Sequence, residues 1–148
     1  MHAIKDIENA MIAAIAADAT LSGYVKTVAG YQGDIDAVVE KQTRPLPGIF
    51  VMFGGYRGSP AAMDSSVDKA MQFTCLAAAR DLRGESEART KTGGAYDMLD
   101  DLDALLVGND LDLDIIPFVP VRCQLLYLSN SASVWGITYE TEIACEIS

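Results

Sequence analysis

Seven aspartates stand between residues 93 and 114, in the stretch GGAYDMLDDLDALLVGNDLDLD. Carboxylates at that density can hold a cation, work as an acid–base pair, or keep a surface hydrated. Asp110, Asp112 and Asp114 alternate as the first ligands of a calcium loop do. Such a loop also needs Gly at its sixth place and a bidentate Glu at its twelfth. Counted from Asp110, those places hold Ile115 and Val121, so the pattern fails at both. Asp97, Asp100, Asp101 and Asp103 spread round one turn after another with no histidine beside them. A solvated helix face is the expectation, and no metal site is expected.

The other reactive residue types are as sparse. His2 is the only histidine, so any Ser–His or Cys–His pair would draw its base from a chain end. Cys75, Cys123 and Cys145 lie far apart, each among apolar neighbours, and read as reduced, buried thiols. Gly54, Gly55, Tyr56, Arg57 and Gly58 follow an apolar run as a phosphate loop would. However, no Lys-Ser or Lys-Thr closes the segment, and Pro60 follows soon after. That segment reads as a flexible turn. No catalytic residue, cofactor or metal ligand is assigned, and the chain is not read as an enzyme.

The chain has 148 residues, half of them apolar, and a net charge of −10. One domain spanning residues 1–148 is expected, large enough for a real core. Its acidity repels nucleic-acid phosphate and argues against sequence-specific DNA binding, although DNA passing by without adhering is compatible with it. No apolar run reaches the roughly 20 residues of a membrane span. The opening MHAIKDIENAMIAAIAADA lacks the basic end and unbroken apolar centre of an export signal, so the cytoplasm of the producing cell is expected.

The elements that would position these residues follow from periodicity. Ile4, Ile7, Met11, Ala14 and Ile15 recur at helical spacing and predict a first helix ending near residues 18–20. Ser22 is placed to cap a short second helix through Val28, and GDIDAVVEKQ holds another turn or two. GIFVMFGG reads as a strand buried on both faces, and AMQFTCLAAARD as a second, with Met71, Phe73 and Cys75 on one side. The connection between them, residues 54–68, reads as a long polar loop. Ala95, Leu99, Leu102 and Leu106 draw the stripe of an amphipathic helix, with Gly108 as the left-handed residue beyond its end. Gly93 and Gly94 before it mark either a late helix start after a loop over residues 83–92 or a close contact with another subunit. The first is favoured.

Residues 135–147 alternate with period two, which predicts a last strand with one buried and one acidic, exposed face. FVPVRCQLLYL before it alternates less cleanly. The expected fold is α+β: a small, mainly antiparallel four-stranded sheet flanked by helices, in the order α-β-β-α-β-β.

Four stretches together, LPGIFVMFGG, FTCLAAARDLRGESEART, GGAYDMLDDLDALLVGNDL and the closing YETEIACEI, resemble a family of tail proteins from Mu-like phages and prophages, over residues 3–147. Ala78, Ala79, Arg80, Asp81, Leu82, Arg83 and Gly84 correspond to one family motif, with Asp81 where Asn is usual. Gly94, Ala95, Tyr96, Met98 and Leu99 correspond to a second, with Met98 where Leu is expected. The resemblance implies a tail terminator, a virion protein of the tail and neck assembled in the host cytoplasm. Such proteins form a ring of six copies on the finished tail tube, end its polymerisation and meet the head-side connector. It also implies a contractile tail, with tube and sheath proteins as partners, DNA only passing through the lumen and no membrane. Gly54, Gly55, Tyr56, Arg57 and Gly58 are then the candidate interface loop, and Glu140, Glu142 and Glu146, or else the aspartate helix, the candidate lumen-facing acids. The alternative is another neck component, such as a head-completion protein in a ring of twelve.

Overall fold

The structure is a computed structural model that describes residues 2–41, 43–60, 66–81 and 83–146; the side chains of Pro60, Ser66, Glu85, Cys145 and Glu146 lie outside that description. Helix α1 (Ala3–Ala17) forms because apolar residues recur every fourth position, and it buries Ile7, Met11 and Ile15. It stops at Asp18, whose backbone turns extended and whose carboxylate accepts from the Leu21 N–H at 3.0 Å, capping the short α2 (Ala19–Ser22). The chain continues through β1 (Thr27–Gly30), α3 (Ile35–Glu40), β2 (Gly48–Pro60), β3 (Ser66–Arg80), α4 (Glu85–Thr90), α5 (Ala95–Leu106), β4 (Val119–Leu128) and β5 (Ala132–Glu146).

The strands form one sheet in the order β1-β2-β3-β5-β4, antiparallel throughout except for β1 on β2. Side chains of one strand alternate between the two faces, so each face gathers its own core. Ile49, Val51, Phe73, Cys75, Ile137 and Tyr139 point towards α1, α2, α4 and α5. On that side Phe53 and Phe73 lie with ring centroids 5.2 Å apart, and Phe118 sits edge-on between Phe73 and Tyr139 at 6.5 Å from each. Phe50, Leu76, Ala78, Ala132 and Val134 point the other way and are covered by Val38 and Val39 of α3. Both faces are therefore closed over one half of the sheet, which accounts for the uninterrupted apolar run in the inner part of β2.

Several expectations are corrected. The sheet has five strands, not four, and the order gains β1 and α4; α3 lies within GDIDAVVEKQ, where a further helical turn or two was expected. The expected helix over residues 22–28 ends at Ser22, and Val28 lies in β1 instead. A four-residue, half-buried strand exists through main-chain pairing with residues 48–51 and is too short to carry a period. Residues 85–90, read as loop, form α4. Residues 54–60, also read as loop, continue β2, and residues 61–65 of that connection lie outside the described residues. The Gly, Tyr, Arg and Ser residues at 54–59 are mostly exposed, so burial leaves no apolar signature there, while the pairing to β3 runs on to Pro60. In α5 the buried stripe is Ala95, Met98, Leu102 and Leu106, with Leu99 only half-buried.

The glycine pair before α5 has an intrachain cause. Gly93 is left-handed at φ +76°, with the Tyr24 ring against it. A Cβ on Gly94 would lie 2.6 Å from the Ala88 carbonyl oxygen and 2.9 Å from that of Lys91. The approaching backbone is α4 of the same chain, and α5 does begin late, at Ala95. Gly108, at φ +78°, follows the helix as expected.

Candidate interaction surface

The aspartates of α5 are only partly a wet surface. Tyr139 is wholly buried, and its hydroxyl donates to Asp103 Oδ1 at 2.6 Å, tying α5 to the sheet. Tyr24 donates to Asp101 Oδ2 at 2.6 Å, which holds the end of the α1–α2 segment to the same helix. Asp97 Oδ2 accepts from the Gly93 N–H at 2.8 Å and closes the turn before the helix. Burial, and then the bond to a carboxylate, push both tyrosines well above the ordinary phenol value. Three of the four helix aspartates therefore hold structure, while Asp100 is exposed.

Asp110 and Asp112 belong to a tight turn in which Leu111 and Asp112 both take positive φ. Asn109 Oδ1 accepts from the Leu111 N–H and Asp110 Oδ1 from the Asp112 N–H. Asp114 lines a groove of about 500 Å³ with Asp68 and Glu142. Among the described residues no three His, Cys, Asp or Glu side chains converge as metal ligands would.

The motif residues Asp81 and Arg83 form a corner after β3. Asp81 accepts from the Arg83 backbone and guanidinium and lies 3.2 Å from the Lys91 ammonium. The Arg83 bonds hold its carboxyl well below the usual range. Arg80 reaches across to the carbonyls of Val39 and Glu40 and ties α3 to β3.

Of the residues expected at an interface, Gly54, Gly55, Tyr56, Arg57 and Gly58 lie in the outer half of β2, beside a bulge between Phe53 and Gly55. Arg57 Nη2 stands 3.8 Å from Glu140 Oε1, and Lys69 Nζ lies 4.7 Å over the Tyr56 ring. A groove of about 210 Å³ runs between Gly54, Tyr56, Arg57, Gln72 and Glu140. The two groups of expected residues thus meet at Arg57 and Glu140. Glu142 is exposed one pair further along the same face of β5, and the Glu146 side chain lies outside the described residues.

A family model described as Bacteriophage Mu, Gp37 matches residues 3–144. The chain belongs to that family. The likeness to tail proteins of Mu-like phages, stated above on four short stretches, thereby holds over almost the whole chain. The structure is similar to a chain in the virion of a native gene transfer agent particle, with a TM-score of 0.66 and 14 % identity. The match covers 98 % of this chain and 100 % of that one, and the shared property is the fold. No curated protein matches the sequence.

The cysteines and the histidine of this member of the Bacteriophage Mu Gp37 family differ in exposure. Cys75 is fully buried in the middle of the sheet, and burial pushes its thiol up to about 12. His2 is exposed at the start of α1. Cys123, expected to be buried, is exposed, because β4 is an edge strand with almost no cover on either face. Cys145 has its side chain outside the described residues. The sequence reading missed β4 as a surface altogether. The available signal was its poor alternation: Leu125 and Leu126 stand together, and bulges interrupt the register at residues 120–122 and 125–127.

Proposed function

We propose that this protein is a structural component of the virion that caps the completed tail tube as a ring of six copies. The observation that carries the reading is the family match across residues 3–144. The full-length fold likeness to a chain of a gene transfer agent virion supports it.

In this reading the ring covers the exposed edges of the last tube ring and presents no matching edge for another, which ends growth. Its far side meets the head-side connector. The sheet is mostly uncovered around Arg57, Glu140 and Glu142. An acidic strip there, completed by Glu146, would line the lumen and repel passing DNA phosphate. The assembled structure belongs to the neck of a contractile tail and is put together in the host cytoplasm.

The test adds the purified protein to polymerising tube subunits. Tubes should stop lengthening and carry one extra ring at a single end; tubes that outgrow the protein would overturn capping. A ring found only on the head portal, with tube growth unchanged, would mean head completion instead. For the lumen, the E140K/E142K/E146K variant should retard DNA passage, and normal packaging and ejection would remove that placement.

A further inference from the structure

The sheet has two open edges, and both lack acids in a chain that carries 21 of them. One edge is β4, which is exposed along nearly its whole length and holds no Asp or Glu and one cation, Arg122. The other is the outer half of β2. There β1 pairs only with residues 48–51, so among the described residues nothing pairs with the far side of residues 53–59. Strand β2 likewise holds no acid and one cation, Arg57.

A free edge presents a row of unpaired N–H and C=O groups, and soluble proteins usually guard it with charge or cover it. In β4 two bulges and Pro120 break the ladder, but the side chains are not guarded. Val119, Val121, Leu125, Leu126 and Leu128 are each 44–55 % exposed, and Ile116 beside them 58 %. The register sets Leu125 and Leu128 on one face, opposite Trp135 and Ser133, and Val119 on the other, opposite Glu140, so apolar side chains are exposed along both faces of this edge.

From these edges we infer that β4 of one copy docks on residues 53–59 of β2 of the next copy, continuing the sheet from subunit to subunit. Charge selects the partner. With a net charge of −10, two copies repel each other over most of their surfaces. The strands that form these two edges carry one cation each and no carboxylate of their own, so a contact between them sets no strand carboxylate against another. Direction is also compatible. β3, β5 and β4 alternate in sense from β2, so β4 runs opposite to β2. Copies related by rotation about an axis along the strands keep that sense, and β4 then meets β2 antiparallel. A contact between two different edges is head-to-tail, the kind that makes a ring. The inference assigns the subunit contact for the ring of the preceding subsection and rests on that reading for closure.

Cys123 on β4 supplies a native cross-linking handle. The Tyr56→Cys variant places a second thiol on the open part of β2, where Tyr56 is 53 % exposed. With a short bis-maleimide at several hundred micromolar protein, Tyr56→Cys should give a ladder of dimer, trimer and higher species. The ladder should vanish in Tyr56→Cys/Cys123→Ser. A Val121→Asp/Leu128→Asp variant with wild-type melting should need about tenfold more protein to assemble, or fail to assemble. A ladder that survives loss of Cys123 overturns the assignment. So does a dimer joined only through Cys123 pairs, or a wild-type protein that stays monomeric at that concentration. Tubes that are capped while no Cys123-dependent ladder forms would leave capping standing and remove this contact.

Discussion

Removing one hydroxyl tests whether the acidic helix is held to the sheet by its aspartates. Tyr139→Phe keeps the buried ring against Phe118 and deletes only the donor to Asp103 Oδ1. A hydrogen bond to a charged acceptor is worth about 1.5–3 kcal/mol net. Asp103 is only half-buried and regains water when its partner goes, so the lower half of that range, about 1.5–2 kcal/mol, is expected. At roughly 2–4 °C per kcal/mol for a chain of this size, the melting point should fall by about 3–8 °C. Asp103→Ala should cost about as much, because it strands the Tyr139 hydroxyl in the core, and the double variant should cost less than the two losses added. Asp100→Ala, on the exposed side of the same helix, should stay within about 0.5 kcal/mol of wild type. The pH dependence carries the same information. The folded-state value of Tyr139 is raised above its unfolded value near 10, by burial first and by Asp103 second. Its contribution is therefore complete below pH 10 and is lost as pH rises beyond it, by about 1.4 kcal/mol per pH unit. Urea titrations at pH 8, 10 and 11 read both effects. A Tyr139→Phe protein within 0.5 kcal/mol of wild type at pH 8, or equally steep in its loss between pH 10 and 11, would refute the tie.

Two further outcomes follow from particular contacts. Gly94→Ala forces a Cβ onto the backbone carbonyl oxygens of Ala88 and Arg89 in α4 and of Lys91 just beyond it, which cannot swing away; a loss of about 2–4 kcal/mol in urea unfolding is expected. Thiol labelling of the native protein, resolved by peptide mass, should modify Cys123 before Cys75 and Cys75 only on unfolding: burial raises both thiols, but Cys123 is exposed, whereas Cys75 is fully buried and pushed up to about 12. Equal rates at the two would mean the middle of the sheet opens in the native state.

What could be read along the chain was whatever asymmetric burial writes into a continuous segment. The stripes of α1 and α5, the doubly buried inner half of β2 and the period of β5 are all signatures of one face meeting a core. Four short stretches carried the resemblance to tail proteins of Mu-like phages, and the family match extends it over residues 3–144. Elements made by pairing rather than burial left no such trace. β1 exists because residues 48–51 accept it, and the outer half of β2 because β3 runs alongside it. Individual roles were also hidden. Asp101 and Asp103 look alike in sequence, yet their tyrosine partners stand 77 and 36 residues away. Gly94 is required by a carbonyl six residues before it, across a turn that only the packing of α4 on α5 brings close. The clearest case is β4: its apolar residues read as core, and only the sheet order, which leaves that strand last among the described residues, turns them into a surface. Local periodicity records that a side chain is apolar; which neighbour covers it is decided by contacts between distant segments.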